Sequence, residues 1–473
     1  MKIQFVLFFL ILATIYQCRQ SQLNNSSDSQ SDAYFETAIW NCMITTVPCY
    51  EIKQQNQGIK QWTRLLGGTS SVATNSFASA TDFDGNNYIA GKVDGALPGL
   101  TKVSSGFNTD LFLAKYNSMG DLQWVRQLGS LSNYNSDAQS IHVDSFGDII
   151  VTGLTQGSFG EYTSTEYGLV LLKYSPSGEK LWTKIFYGNS GLVTAGVGVT
   201  SDLQGNIYVT GHTELTNING EIAYGIYNLI LFKYDRTGNL LWTRILAETP
   251  GSLIYGYKIT YDSYSNQVFV VGHATGPGTF LGQTIGNTQE SFIAAFRDDG
   301  VNTWAKVIGQ PGTSVFSRGV SSDKRGSIYL TGDLSGMPID GQTFSGTMAE
   351  LLIKFNVTGF REWTILRGAG SGTSTNARGV YADNSGNVYT VGWTTGNLSG
   401  VSLNGTQDAY LSKYHFNGNL EWTRLSGSSL VTLDGMALSS DRLGSIYLTG
   451  GTTGNLDAQT KTGTKDAFVI QYK

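Results

Sequence analysis

The chain has 473 residues, room for two or three ordinary domains or for one repeat array, with 59 Gly, 25 Tyr, 22 Phe and 9 Trp against 7 Pro. That balance, with few helix formers, suits short strands separated by glycine-bearing turns and sets aside a helical fold. Charged residues make up only 14% and the formal net charge is −5; without the clustered Lys and Arg that a phosphate backbone requires, nucleic acid is excluded as a partner.

Residues 1–17 read as a signal peptide. Lys2 precedes the apolar run Ile3–Ile15, which is too short to span a bilayer comfortably and has the length of a secretory core. Cys18 follows in Ile15-Tyr16-Gln17-Cys18 and resembles the lipidation site of bacterial lipoproteins, although Tyr16 and Gln17 depart from the small residues usual there. The alternative is an ordinary signal peptide cleaved nearby. Residues 18–32, almost all Ser, Asn, Gln and Asp, form a flexible tether. Residues 33–57, with Trp40, Cys42 and Cys49, make a small cap or linker. With Cys18 acylated, Cys42 and Cys49 remain as a pair able to close a disulfide in an oxidising compartment, or to stay as thiols.

From Trp62 onward the sequence repeats. Trp62, Trp124, Trp182, Trp242, Trp304, Trp363 and Trp422 recur every 58 to 62 residues. A glycine ending an aromatic-aliphatic run keeps the same period at Gly91, Gly153, Gly211, Gly272, Gly332, Gly392 and Gly450. So does a Lys-Tyr pair, as in Lys115-Tyr116 and Lys233-Tyr234. Each period holds four strand-like runs, here named a to d and illustrated by 139–144, 148–154, 169–175 and 180–186. The a–b link is Asp-x-x-Gly-Asn or a relative, and the c–d link ends in Gly; both are hairpin turns. The a strands carry Ala78, Ser140, Gly198, Gly319, Gly379 and Ala437 where seven strands must converge, with Lys258 as the large exception. The first repeat element is a lone d strand, 61–66, and the last a lone c strand, 466–473, so the two pair to complete the seventh blade. The expected fold is therefore all-β: over residues 58–473, a seven-bladed β-propeller of four-stranded antiparallel blades, closed by that pairing.

Asp202-Leu203-Gln204-Gly205-Asn206-Ile207-Tyr208-Val209-Thr210-Gly211, with Asp466-Ala467-Phe468, Asp408-Ala409-Tyr410 and the following Trp, resembles the secreted bacterial seven-bladed propeller repeat family, the SBBP repeat. The resemblance covers residues 58–473 and implies the propeller fold and extracytoplasmic placement. The family has no common catalytic residue or ligand, and so implies no activity.

Chemical motifs are sparse. Asp82-x-Asp84-Gly85-Asn86 has the look of half a calcium loop, but the other copies lack the second Asp and the bidentate Glu, so it reads as a turn. His142, His212, His273 and His415 have no metal spacing, and no nucleophile elbow or phosphate loop appears. No cofactor and no metal is expected. Each repeated Trp reads as blade-to-blade packing. The a–b and c–d turns share one face. The b–c loops, 94–109, 155–166, 213–226, 274–289, 334–348, 394–407 and 452–465, lie on the other, differ in every blade, and mark the expected binding face. The residue after each b-strand Gly reads Lys92, Leu154, His212, His273, Asp333, Trp393 and Gly451, of which Lys92, His212, His273, Asp333 and Trp393 are the candidate ligand contacts. The sequence favours an exported, monomeric scaffold binding protein or glycan, touching membrane only through an N-terminal lipid, at the outer membrane or cell surface or else periplasmic or secreted. The alternatives are a propeller hydrolase or lyase acting on polysaccharide, and a periplasmic or outer-membrane assembly factor.

Overall fold

Two adjacent covered faces explain why the middle strands are so apolar. In each repeat the b and c strands are buried on both sides, as in Tyr167–Tyr174 (YGLVLLKY) and Asn228–Tyr234 (NLILFKY), because a neighbouring blade lies against each face. The d strands open with exposed residues and bury only alternate positions, as in Leu240–Leu246. The computed structural model describes residues 57–473 except 70, 71, 107, 132, 133, 190, 277, 287 and 288. The expected signal peptide and tether, the cap up to residue 56, and Cys18, Cys42 and Cys49 lie outside the described residues.

Seven four-stranded antiparallel sheets follow one another in the order a-b-c-d, as expected. Blades 1 to 6 span 74–128, 136–187, 194–246, 253–308, 313–367 and 375–426. Blade 7 takes its a, b and c strands from 433–472 and its d strand, Lys60–Leu66, from the start of the array. Trp62 lies opposite Gln471 and Leu66 opposite Ala467, so the ring closes by strand pairing.

The glycine series has a steric cause. Each a strand carries a one-residue bulge, for example between Ser76 and Ala78 opposite Gly91 and Ala90. The bulge thrusts a carbonyl at the b strand: a Cβ on Gly91, Gly211, Gly332 or Gly450 would stand within 2 Å of the carbonyl oxygen of Asn75, Ala195, Phe316 or Asp434. Only glycine admits that approach. The small a-strand residues are explained likewise, since a Cβ on Gly198 would lie 3.0 Å from the Lys258 backbone of the next blade.

The a–b turns are tied by their leading aspartate. Asp202 accepts from Gln204 N–H at 3.0 Å and from the backbone and side-chain amides of Asn206 at 2.8 Å each. Asp82 is satisfied in the same way by Asp84, Asn86 and Tyr88, which makes Asp82-x-Asp84 a turn.

The repeated tryptophans join blades, though less deeply than the sequence suggests: all seven are half-buried. Six of them lie across the c–d turn of the next blade and pack on its glycine, as Trp242 does on Gly300 and Trp62 on Gly120. The indole N–H of Trp62, Trp124, Trp242, Trp304 and Trp363 donates to a carbonyl of that turn at 2.8–3.3 Å. Trp422 faces blade 7, whose c and d strands come from opposite ends of the array, so that blade has no c–d turn. Its Nε1 is buried and unpartnered among the described residues.

Candidate functional site

The b–c loops were expected to differ in every blade and to mark the binding face. Their sequences do differ, but they fold back over their own blades around a shared tight turn. Asp457 bonds Lys60 and Thr63, Asp340 bonds Arg361 and Thr364, and Asn219 bonds Thr243, all on d strands of the same blade. Each turn plants one apolar plug: Leu97, Phe159, Ile218, Phe280, Ile339, Leu398 and Leu456 are all at most 4% exposed. Positive φ at Asn219, Leu281, Asp340, Ser399 and Asp457 marks these turns. The signal in the sequence is a plug residue two positions before Gly, as in Ile218-Asn219-Gly220 and Leu398-Ser399-Gly400.

With the loops drawn back, the channel mouth on that face is lined by the a strands and by the b-strand residues after the glycines. Those residues point sideways at the next blade. In blades 3 to 5 this builds a continuous group. His212 meets Tyr255 edge-on at 4.9 Å and Tyr227 at 5.6 Å. Tyr227 stacks on Tyr255 at 4.7 Å, Tyr255 on His273 at 4.6 Å, and Tyr257 lies 5.1 Å from His273. Phe316 closes the row edge-on to His273 at 5.7 Å. The Arg318 guanidinium lies over Phe316 and Tyr257 and donates from Nε to Asp333 at 3.1 Å. Tyr257, Arg318 and Arg378 are the bulged residues of blades 4, 5 and 6, so the bulges that demand the glycines also supply the site.

Burial sets the charge states. It pushes the His212 imidazole down to about 4 and, with help from Arg318 and His212, that of His273 to about 3, so both rings are neutral near pH 7. Burial raises the Asp333 carboxyl, opposed by the nearby guanidinium groups of Arg378 and Arg318. Tyr255 is raised to about 12. His212 Nδ1, His273 Nδ1 and Arg378 Nε are buried and unpartnered among the described residues. Deeper in the channel, Lys258 donates across to the Gln139 carbonyl of blade 2 at 3.0 Å, and burial lowers its ammonium to about 8. Beside Tyr227 the blade 3 loop exposes Ile222, Tyr224 and Ile226, each more than half.

Of the five candidate contacts, His212, His273 and Asp333 come together. Lys92 sits on the blade 1–2 side, paired with Asp137 at 3.3 Å, and Trp393 is half-buried on blade 6. Sequence reasoning missed Tyr227, Tyr255, Tyr257, Phe316, Arg318 and Arg378. The signal was present in the a strands, where Tyr255-Gly256-Tyr257 and Phe316-Ser317-Arg318 replace the lighter Ala195-Gly196-Val197 of blade 3. Among the described residues, no three His, Cys, Asp or Glu side chains gather as a metal site.

The beta-propeller repeat family SBBP matches residues 123–160, 241–278 and 362–399. The uncharacterized WD repeat-containing protein L264 of Acanthamoeba polyphaga mimivirus is 24% identical over 74% of this chain and 32% of its own length. The regulatory protein FlaEY of Caulobacter vibrioides is 24% identical over 66% of this chain and 35% of its own. The chain thus spans about a third of the length of these curated relatives. Among solved structures, an ulvan lyase of polysaccharide lyase family PL25 aligns with 85% of this chain and 95% of its own, at TM-score 0.49 and 9% identity. The polysaccharide lyase Uly1 aligns over 84% and 89% at TM-score 0.46.

Proposed function

We propose that this chain, a propeller built of SBBP repeats, is an exported scaffold, held at the cell envelope through its N-terminal residues, that binds an extended glycan across the channel mouth of blades 3 to 6. The observation that carries this reading is the row Tyr227, Tyr255, His273 and Tyr257, with successive ring centres 4.6–5.1 Å apart. The rings cover one another's faces, so the row presents its edges: the carbon edges of the half-buried tyrosines offer apolar contact, while their hydroxyls and the imidazole nitrogens offer hydrogen bonds. A pyranose has the same division between its C–H face and its equatorial hydroxyls, whereas an apolar peptide side chain leaves the polar edges unmet. The test is a glycan array probed with the wild type and with Tyr255→Ala. Wild-type signal lost in the variant supports the reading, and an array without signal, or one indifferent to Tyr255, rejects it. Protease shaving of intact cells with mass spectrometry of the N-terminal peptide tests the anchoring.

A second reading, chain cleavage on the same mouth, is favoured by the geometry alone: the His212 and His273 rings lie against Tyr255 and Tyr257, pairing the residue types that serve as general base and acid, and a ligand would have to raise the imidazoles from about 4 and about 3 for either to act as an effective base. Turnover of a polysaccharide panel, absent in His212→Ala/His273→Ala, tests it.

A further inference from the structure

The geometry points to a sugar unit bearing a carboxylate as the ligand of this mouth, with Arg378 as the group that takes the acid. This deepens the glycan reading and rests on it. The mouth is electrically lopsided. On the blade 5–6 side, Arg318 is bonded to the buried Asp333, and Arg378 stands near enough to feel that carboxylate's charge but makes no ion pair with it, so two guanidinium groups face one buried carboxylate. The next acid, Asp434, is already held by Lys465 at 2.5 Å and by the Gln407 amide at 2.5 Å. One cation is therefore left over, and it is Arg378: Arg318 spends its Nε on Asp333, whereas Arg378 Nε has no partner among the described residues. On the blade 3 side the charge reverses, since Glu214, which accepts from the Val193 N–H at 2.7 Å, lies near His212 and Tyr227.

Between these poles stands the ring row. His273, 7% exposed, presents Nδ1 without a partner inside it, and a buried polar atom in that state is costly unless a ligand or solvent meets it. A planar guanidinium fork matches a carboxylate in two parallel hydrogen bonds. The polarity also orients the chain: the acid-bearing unit lies toward blades 5 and 6, and a neutral unit toward Glu214 at blade 3, where a second carboxylate would be repelled.

The test uses the full-length protein in calorimetric titrations with oligomers in which a uronate alternates with a neutral sugar, with galacturonate oligomers that carry an acid on every unit, with the methyl esters of both, and with an acidic peptide. The ester keeps the sugar backbone and removes only the charge. The expected result is binding of at least one acid oligomer, weakened at least about tenfold by esterification, by Arg378→Gln and by Arg378→Lys, which keeps the charge but not the fork. Esters that bind as well as acids overturn the inference and leave the glycan reading standing, as does binding indifferent to both Arg378 variants. Binding of the peptide alone, or of no saccharide, overturns both. The ester comparison is made on the wild type, so the test survives a variant that fails to fold.

Discussion

Removing one indole N–H at two places in the ring should have opposite consequences. Trp242 meets Tyr208 edge-on with ring centres 6.2 Å apart and donates to the Asp298 carbonyl at 2.9 Å. Trp422 makes the equivalent contact with Tyr389 at 6.2 Å, but its N–H is buried without an acceptor. Trp→Phe removes a similar volume at both sites. At 242 it also removes a hydrogen bond whose net worth is about 1 kcal/mol; at 422 it removes a donor whose burial costs about 1–3 kcal/mol. Trp242→Phe should therefore destabilise by about 1–2 kcal/mol, and Trp422→Phe should be neutral or stabilising. For alanine, full burial would imply about 3–5 kcal/mol, but the half-buried ring at Trp242 scales this to about 2–3 kcal/mol. Urea midpoints at matched slope measure the difference. Trp422→Phe as costly as Trp242→Phe would mean that the missing c–d turn of blade 7 leaves nothing unpaired, and the account of the seam would be wrong.

Further outcomes follow from the same structure. Deleting 466–473 removes the strand that pairs with both Ile446–Thr452 and Lys60–Leu66, so the melting temperature should fall sharply or the protein aggregate; an unchanged melt would contradict ring closure. The plug Leu398, fully buried in a loop, should cost about 2–4 kcal/mol as Leu398→Ala, against less than about 0.5 kcal/mol for a free loop residue, by urea denaturation. Because the His212 and His273 imidazoles fall from 6.5 to about 4 and about 3 on folding, the unfolded chain binds more protons. Their contribution is full above pH 6.5 and is lost as pH falls toward 4. Between pH 7 and 5 His273 should account for roughly 2 kcal/mol, and a His273→Gln melt as pH-sensitive as the wild type would refute this. Once a ligand is found, the double variant His212→Ala/His273→Ala should weaken it at least about tenfold, while Asn206→Ala on the turn face should leave titrations unchanged.

The fold was legible because its constraints are local and repeated. A glycine where a bulged carbonyl approaches within 2 Å, an aspartate that ties its own turn, and an unpaired strand at each end of the array each leave a mark at a fixed interval. The sequence even marked the odd blade, since Lys258 breaks the run of small residues at the channel. It could not say how deep the tryptophans lie, because burial depends on the neighbouring blade's turn, nor that Trp422 meets no turn. Nor could it separate His212, His273 and Asp333 from Lys92 and Trp393, which occupy the same repeat position. Which of these five act together is set by what the next blade's a strand presents, Tyr255 and Phe316 in one sector and Asp137 in another. Those partners lie about three-quarters of a repeat away in sequence and come within van der Waals reach only when the blades pack into a ring.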